Sequence, residues 1–179
     1  MAQLGTTNKE KVLDLLNERC AYERTGVRLY DAIIGKIEQS GDSKITKMLG
    51  QMQEHRDQEK EHEEWLEERI RALGGDPHAK TTMVQLTETE SKGLEAVILD
   101  GDPDVSHLFH ALLIAELADN AGWDLLVELA DEAEDQEAKR GFKKRLHEEE
   151  EHLIFVRRAV ERFARREVLG ERVSMPTQP

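Results

Sequence analysis

Residues 145–160 read RLHEEEEHLIFVRRAV. Wound as an α-helix, this stretch continues an apolar stripe that starts at Phe142 and runs through Leu146, Leu153, Val156, Val160 and Phe163. Glu149 and His152 fall inside that stripe, one turn apart. A carboxylate on an inward face is costly unless it is paired or bound to a metal. A Glu and a His at this spacing can grip one ion together. An earlier stretch, QEKEHEEWL at residues 58–66, repeats the pattern, with Glu59 and His62 in the stripe Met48, Met52, Leu66 and Leu73. The chain carries Glu-x-x-His twice, on two separate helices.

Working outward, Thr7-Asn8-Lys9-Glu10 reads as a capping box. The helix it starts extends to about Gln39, with Leu13, Leu16, Cys20, Val27, Tyr30, Ile34 and Ile37 as its stripe and Glu23 in the middle. Gly41 suits the helix stop and Asp42 an N-cap for a second helix from about Ser43 to Leu73. Gly74-Gly75-Asp76-Pro77 ends it. Residues 74–104 form a long connection, in which Thr87-x-x-Glu90 predicts the cap of a short helix through Leu99. Asp102-Pro103 then predicts an N-cap with Pro at the first helical position. The third helix spans about Asp104 to Ala130, with Phe109, Leu112, Leu113, Trp123, Leu126 and Val127 as its stripe and Glu116 within it. The turn at Asp131–Asp135 has neither Gly nor Pro, and the fourth helix reaches about Arg166. The expected domain is residues 1–166, followed by a flexible C-terminal tail, residues 167–179.

Composition points the same way. The 179 residues suffice for one domain with a real core. Charged residues make up 35% of the chain, with only four prolines, which favours long helices over strands. The net charge of -13 argues against nucleic acid as a partner. A single cysteine, Cys20, excludes an intramolecular disulfide and any multi-cysteine metal site. No apolar run is long enough to span a membrane, and MAQLGTTNKEKV has no signal-peptide pattern. The expectation is a cytoplasmic protein without a membrane partner. Charge looks interspersed along the long helices, which leads to an expected monomer or homodimer.

In an antiparallel helical hairpin, residues equidistant from the turn lie level. The midpoint between Glu23 and Glu59 is Gly41, and that between Glu116 and Glu149 falls between Glu132 and Ala133. Each hairpin therefore brings a lone Glu level with a Glu-x-x-His. The halves also match around these anchors: Tyr30 and Trp123 stand seven residues after the lone Glu, and Trp65 and Phe155 three after each His. Two such units packed face to face place Glu23, Glu59, His62, Glu116, Glu149 and His152 at one level of an all-α four-helix bundle. That is the donor set of the di-iron and di-manganese carboxylate bundles, and oxygen and imidazole donors suit either metal.

On these residues the sequence resembles the ferritin-like superfamily over roughly residues 8–166. The second Glu-x-x-His is more similar to rubrerythrin, bacterioferritin or manganese catalase than to the usual eukaryotic ferritin site. The resemblance implies a ferritin-like four-helix bundle with a long crossover between helices two and three. It implies two Fe ions, or alternatively Mn, and reaction with dioxygen or hydrogen peroxide as a ferroxidase or peroxidase. The alternative is a metal-binding, iron-handling protein without turnover of an organic substrate. Asp119 resembles the extra carboxylate on the third helix of rubrerythrin, but is Asp rather than Glu. It either ligates directly or supports a ligand. The cysteine pairs of a rubredoxin module are missing, and Lys60 stands where bacterioferritin has its haem-binding Met.

Other residues have plainer readings. His55 and Arg145, each four before a paired Glu, either orient a ligand or sit at the boundary of the core. Tyr30 is core packing with a satisfied hydroxyl or a redox relay, and Cys20 a small core residue rather than a thiolate ligand. Glu61, Glu63, Glu64, Glu150 and Glu151 are expected in solvent, and His78, His107, His110 and His147 at the surface.

Overall fold

Four long helices account for most of the chain. The computed structural model describes Met1 and residues 3–170. After a single turn, α1 (Leu4–Thr7), come α2 (Lys9–Ser40), α3 (Leu49–Ala72), α4 (Thr82–Glu90), α5 (Lys92–Ile98), α6 (Val105–Glu132) and α7 (Gln136–Leu169). There is no strand among the described residues. α2 packs chiefly on α3 and α6 on α7, forming two hairpins, while α4 lies on α2 and α5 on α6. This is the ferritin-like bundle expected, with α4 and α5 as its crossover. Among the described residues, no helix is long and apolar enough to cross a membrane.

The apolar stripes meet in two separate clusters. One gathers Leu29, Tyr30, Ile33, Met52, Phe109 and Val156. The other gathers Leu16, Cys20, Leu66, Trp123, Leu126 and Phe142. Along each long helix the Glu and His of interest lie between its contributions to the two clusters. The core is thus two apolar plugs with a polar layer between them. The outer face of α6 leaves Ile114, Leu117 and Leu125 about half exposed, an apolar strip that interspersed charge did not suggest.

The helix ends differ from expectation in instructive places. Asn8, not Thr7, is the N-cap of α2, and its side chain accepts from the Lys11 N–H. Gly41 takes the left-handed conformation (φ 65°) that ends α2. Asp42 does not start a helix, because its carboxylate accepts the Lys44 N–H at 2.8 Å and its carbonyl takes the N–H groups of Ile45 and Thr46. A 3-10 turn at Thr46–Met48 follows, and α3 begins only at Leu49. Thr81, not Thr87, caps the crossover helix α4. Thr87 is buried within α4 and donates to Glu18 at 2.8 Å. Asp104 rather than Asp102 stands at the N-cap of α6, and Asp102 pairs with Lys36 of α2 instead. At the α6–α7 turn Glu134 takes the positive φ that glycine usually supplies. The Asp135 carboxylate makes that turn worthwhile by accepting the N–H groups of Ala138, Gln3 and Leu4. α7 runs past Arg166 to Leu169, so the expected tail begins inside a helix, and residues 171–179 lie outside the described part.

Candidate metal centre

α2 supplies Glu23 to the layer between the apolar plugs, α3 supplies Glu59 and His62, α6 supplies Glu116, and α7 supplies Glu149 and His152. Each of the six residues is at most 2% exposed. Their donor atoms fall into overlapping groups within 4.8 Å. Glu59, Glu116, Glu149 and His152 form one, and Glu23, His62 and Glu149 another. A third joins Glu23, Glu59, Asp119 and Glu149. Glu149 belongs to all three groups, and Glu23 and Glu59 to two each, so these carboxylates lie where the groups overlap.

The imidazoles show which nitrogen faces inward. His62 Nε2 lies 3.0 Å from the Glu148 carboxylate, and His152 Nε2 lies 2.8 Å from Gln58 Oε1. Both partners accept, so Nε2 carries a hydrogen and Nδ1 is the nitrogen turned toward the carboxylates, able to offer a lone pair once a metal displaces any proton on it. Nδ1 of His62 is 2.8 Å from Glu149 Oε1 and 3.3 Å from Glu23 Oε2. Nδ1 of His152 is 3.1 Å from Glu149 and 3.3 Å from Glu59. The His152 Nδ1–Glu149 Oε2 contact is a hydrogen bond, but alignment is missing at several of the other atoms. Glu23 Oε2, Glu59 Oε2, His62 Nδ1, Glu116 Oε2 and Glu149 Oε1 are buried without a hydrogen-bond partner. Orphaned oxygens and an unpartnered imidazole nitrogen facing one another fit cations placed between them.

The remaining oxygens are held crosswise. Tyr30 of α2 donates its hydroxyl to Glu116 of α6 at 2.6 Å, and Trp123 of α6 donates its indole N–H to Glu23 of α2 at 2.9 Å. Tyr30 is therefore packed and satisfied, as one of its two readings had it. Gly26 leaves room on α2 for Glu59, since a Cβ there would collide with its carboxylate.

Electrostatics shows what the layer costs without a counter-charge. Burial, with the neighbouring carboxylates, pushes Glu59 well above the usual range and Glu116 up to about 8. Burial also pushes up Asp119, although Arg19 pulls the other way. Burial opposes ionisation of Glu149 as well, but His152 and His62 outweigh it and hold that carboxyl low. Burial lowers both inward imidazoles and is overcome in each by carboxylates, so His62 and His152 are raised.

Around this layer the sequence readings divide. His55 is buried and stacks on His152 with ring centroids 4.2 Å apart, while its Nε2 meets the Gln51 amide at 2.8 Å. Burial and then His152 drive its pKa down to about 2, so it is a neutral ring packed against the His152 imidazole. Arg145 lies over the Trp65 ring at 3.9 Å and donates to the Gly141 carbonyl, away from the donor atoms. Cys20 is a core thiol that burial pushes up to about 12. Glu63 is not in solvent as expected. It is buried between Arg24 at 2.9 Å and Lys60 at 2.7 Å. Glu61, Glu64, Glu150 and Glu151 are exposed, as are His78, His107, His110 and His147.

Sequence reasoning missed three residues. Glu148 and Gln58 each precede a paired Glu, and that shared position was the available signal. Arg19 stands one turn before Glu23, is 2% exposed, and contacts Glu23 at 3.5 Å and Asp119 at 3.4 Å.

A family model described as rubrerythrin matches residues 14–160, a span that holds all six donors, Asp119 and Arg19. The chain belongs to the rubrerythrin family. No curated protein matches it. Rubrerythrin is a ferritin-like di-iron family, and the buried carboxylate–imidazole layer of this member is compatible with metal binding.

Proposed function

We propose that the chain is a non-haem oxidoreductase with a pair of iron ions, reacting with dioxygen or hydrogen peroxide as a ferroxidase or peroxidase. The observation that carries this reading is the inward Nδ1 of each imidazole, turned there by an acceptor on Nε2, among buried carboxylate oxygens with no partner. Glu23 and His62 would hold one ion and Glu116 and His152 the other, with Glu59 and Glu149 shared. A bound iron pair supplies two electrons to an oxygen–oxygen bond.

The chain's own groups supply the setting. Trp123 and Tyr30 orient the two terminal carboxylates, leaving the other oxygen of each for a cation. The Tyr30 hydroxyl proton sits between its oxygen and Glu116 Oε1. The apolar clusters on either side keep bulk water out of the layer, which strengthens every charge interaction inside it. A groove of about 700 Å³ between α5 and α6 is lined in part by Tyr22, whose hydroxyl donates to the Ala115 carbonyl at 3.0 Å.

The test is the metal content of protein purified without added metal, followed by stopped-flow mixing with ferrous iron and peroxide. The expected result is two ions per chain and oxidation well above the uncatalysed rate. Two bound ions without accelerated oxidation would favour an iron-handling protein instead, and manganese at the site would favour the di-manganese form.

A further inference from the structure

Five buried carboxylates surround the centre: Glu23, Glu59, Glu116, Glu149 and Asp119. Two divalent cations offset four of them. The fifth, Asp119, faces a fixed cation at ion-pair distance, although its Oδ1 makes no aligned hydrogen bond. Arg19 is 2% exposed and permanently charged. Its Nη1 lies 3.4 Å from Asp119 Oδ1 and donates to the Asp119 carbonyl at 3.3 Å. Its Nε is 3.5 Å from Glu23, Glu18 is 4.0 Å from Nη2, and the guanidinium lies over the Tyr22 ring at 4.3 Å. Gly122, one turn beyond Asp119, makes the slot, because a Cβ there would occupy the place of the guanidinium. A desolvated cation of this kind is tolerable only while paired, so it cannot release Asp119 to a metal without cost. Yet Asp119 lies within ligating reach, in a group with Glu23, Glu59 and Glu149.

We propose that Arg19 is a positioning residue that holds Asp119 back from the metals and so limits the ligand set to four Glu and two His. It is a fixed internal counter-cation for the surplus carboxylate. Asp119 neutralises Arg19 in return, so that the guanidinium does not compete with a metal for Glu23. The inference rests on the metal-centre reading above.

Cobalt(II) added to the metal-free full chain tests it, with affinity read by calorimetry and coordination by visible absorption. Wild-type protein that takes up no cobalt would sink the metal reading itself. Given uptake, Asp119→Asn should weaken the position held by Glu23 and His62 about tenfold, because Arg19 then faces Glu23 without its partner. Its absorption spectrum should keep the wild-type shape, because no ligand is lost. Arg19→Met should tighten the same position about tenfold and lower the absorption as Asp119 joins the metal. The double variant should return to near wild-type affinity. A changed spectrum in Asp119→Asn overturns the proposal, since Asp119 would then be a ligand already. So does an Arg19→Met protein with unchanged or weaker binding. Should Arg19→Met fail to fold, the Asp119→Asn spectrum decides alone.

Discussion

Raising the pH of the metal-free protein from 6.5 to 8.5 should destabilise it. Glu116 ordinarily ionises near 4.5 and is raised to about 8 in the fold, by burial above all. A carboxyl raised in this way contributes stability that is complete below 4.5 and is lost as pH climbs through the folded value, at roughly 1.4 kcal/mol per pH unit. Between 6.5 and 8 Glu116 alone therefore removes about 2 kcal/mol. Glu59 is raised too and acts in the same direction. So do His62 and His152, raised above 6.5, whose contributions fade as pH rises through their folded values. Glu149, held low, and His55, lowered to about 2, change stability only below 4.5 and below 6.5 respectively, outside this window. For a domain of this size 2 kcal/mol lowers the melting temperature by roughly 4–8 °C. Circular dichroism melts in a chelating buffer measure it. With divalent metal bound, the carboxylates stay ionised throughout and the dependence should vanish. A metal-free melting temperature that holds level or rises across this window would refute the reasoning.

Three substitutions probe the site from other sides. His62→Ala should reduce bound metal from two ions toward one by native mass spectrometry, because Glu116, His152 and the shared carboxylates still form a position; two ions retained would show a misassigned ligand. Tyr30→Phe removes the donor to a buried carboxylate and should cost about 1–3 kcal/mol in chemical denaturation, whereas an unchanged midpoint would mean that the contact contributes nothing. Gly26→Ala drives a methyl into the Glu59 carboxylate and should cost about 1–3 kcal/mol as well as metal affinity; a variant as stable and as tight as the parent would show that Glu59 has space to move.

Much of this arrangement could be read from residue spacing because the two requirements coincide. A helix stripe must be apolar to bury, so Glu and His inside a stripe stand out, and hairpin symmetry then sets their heights. The bundle and the convergence of Glu23, Glu59, His62, Glu116, Glu149 and His152 follow from those two facts. Gln58, Glu148 and Glu63 could not be placed the same way. They sit on the flanks of their stripes, where exposure depends on which neighbouring helix covers them, and periodicity along one helix does not contain that. Arg19 was hidden for a related reason. An arginine on a helix ordinarily reaches for water, and what keeps this one inside is the missing side chain of Gly122 on α6. The cap errors are local competitions: Asp42 and Thr87 have cap chemistry, but Asp42 spends it on a tight turn and Thr87 on Glu18.

The crossed donors have a consequence for assembly of the chain itself. The hydrogen bond to each lone carboxylate comes from the other hairpin: Glu23 accepts from Trp123, and Glu116 from Tyr30. Docking of the halves is thereby proofread, since a hairpin paired out of register strands two acidic side chains in an apolar seam. The α4–α5 segment then serves as a tether more than as a scaffold. A chain cut within it should yield two fragments that are each poorly ordered apart and that co-elute as one folded species when mixed. Independent folding of either fragment would deny this mutual dependence.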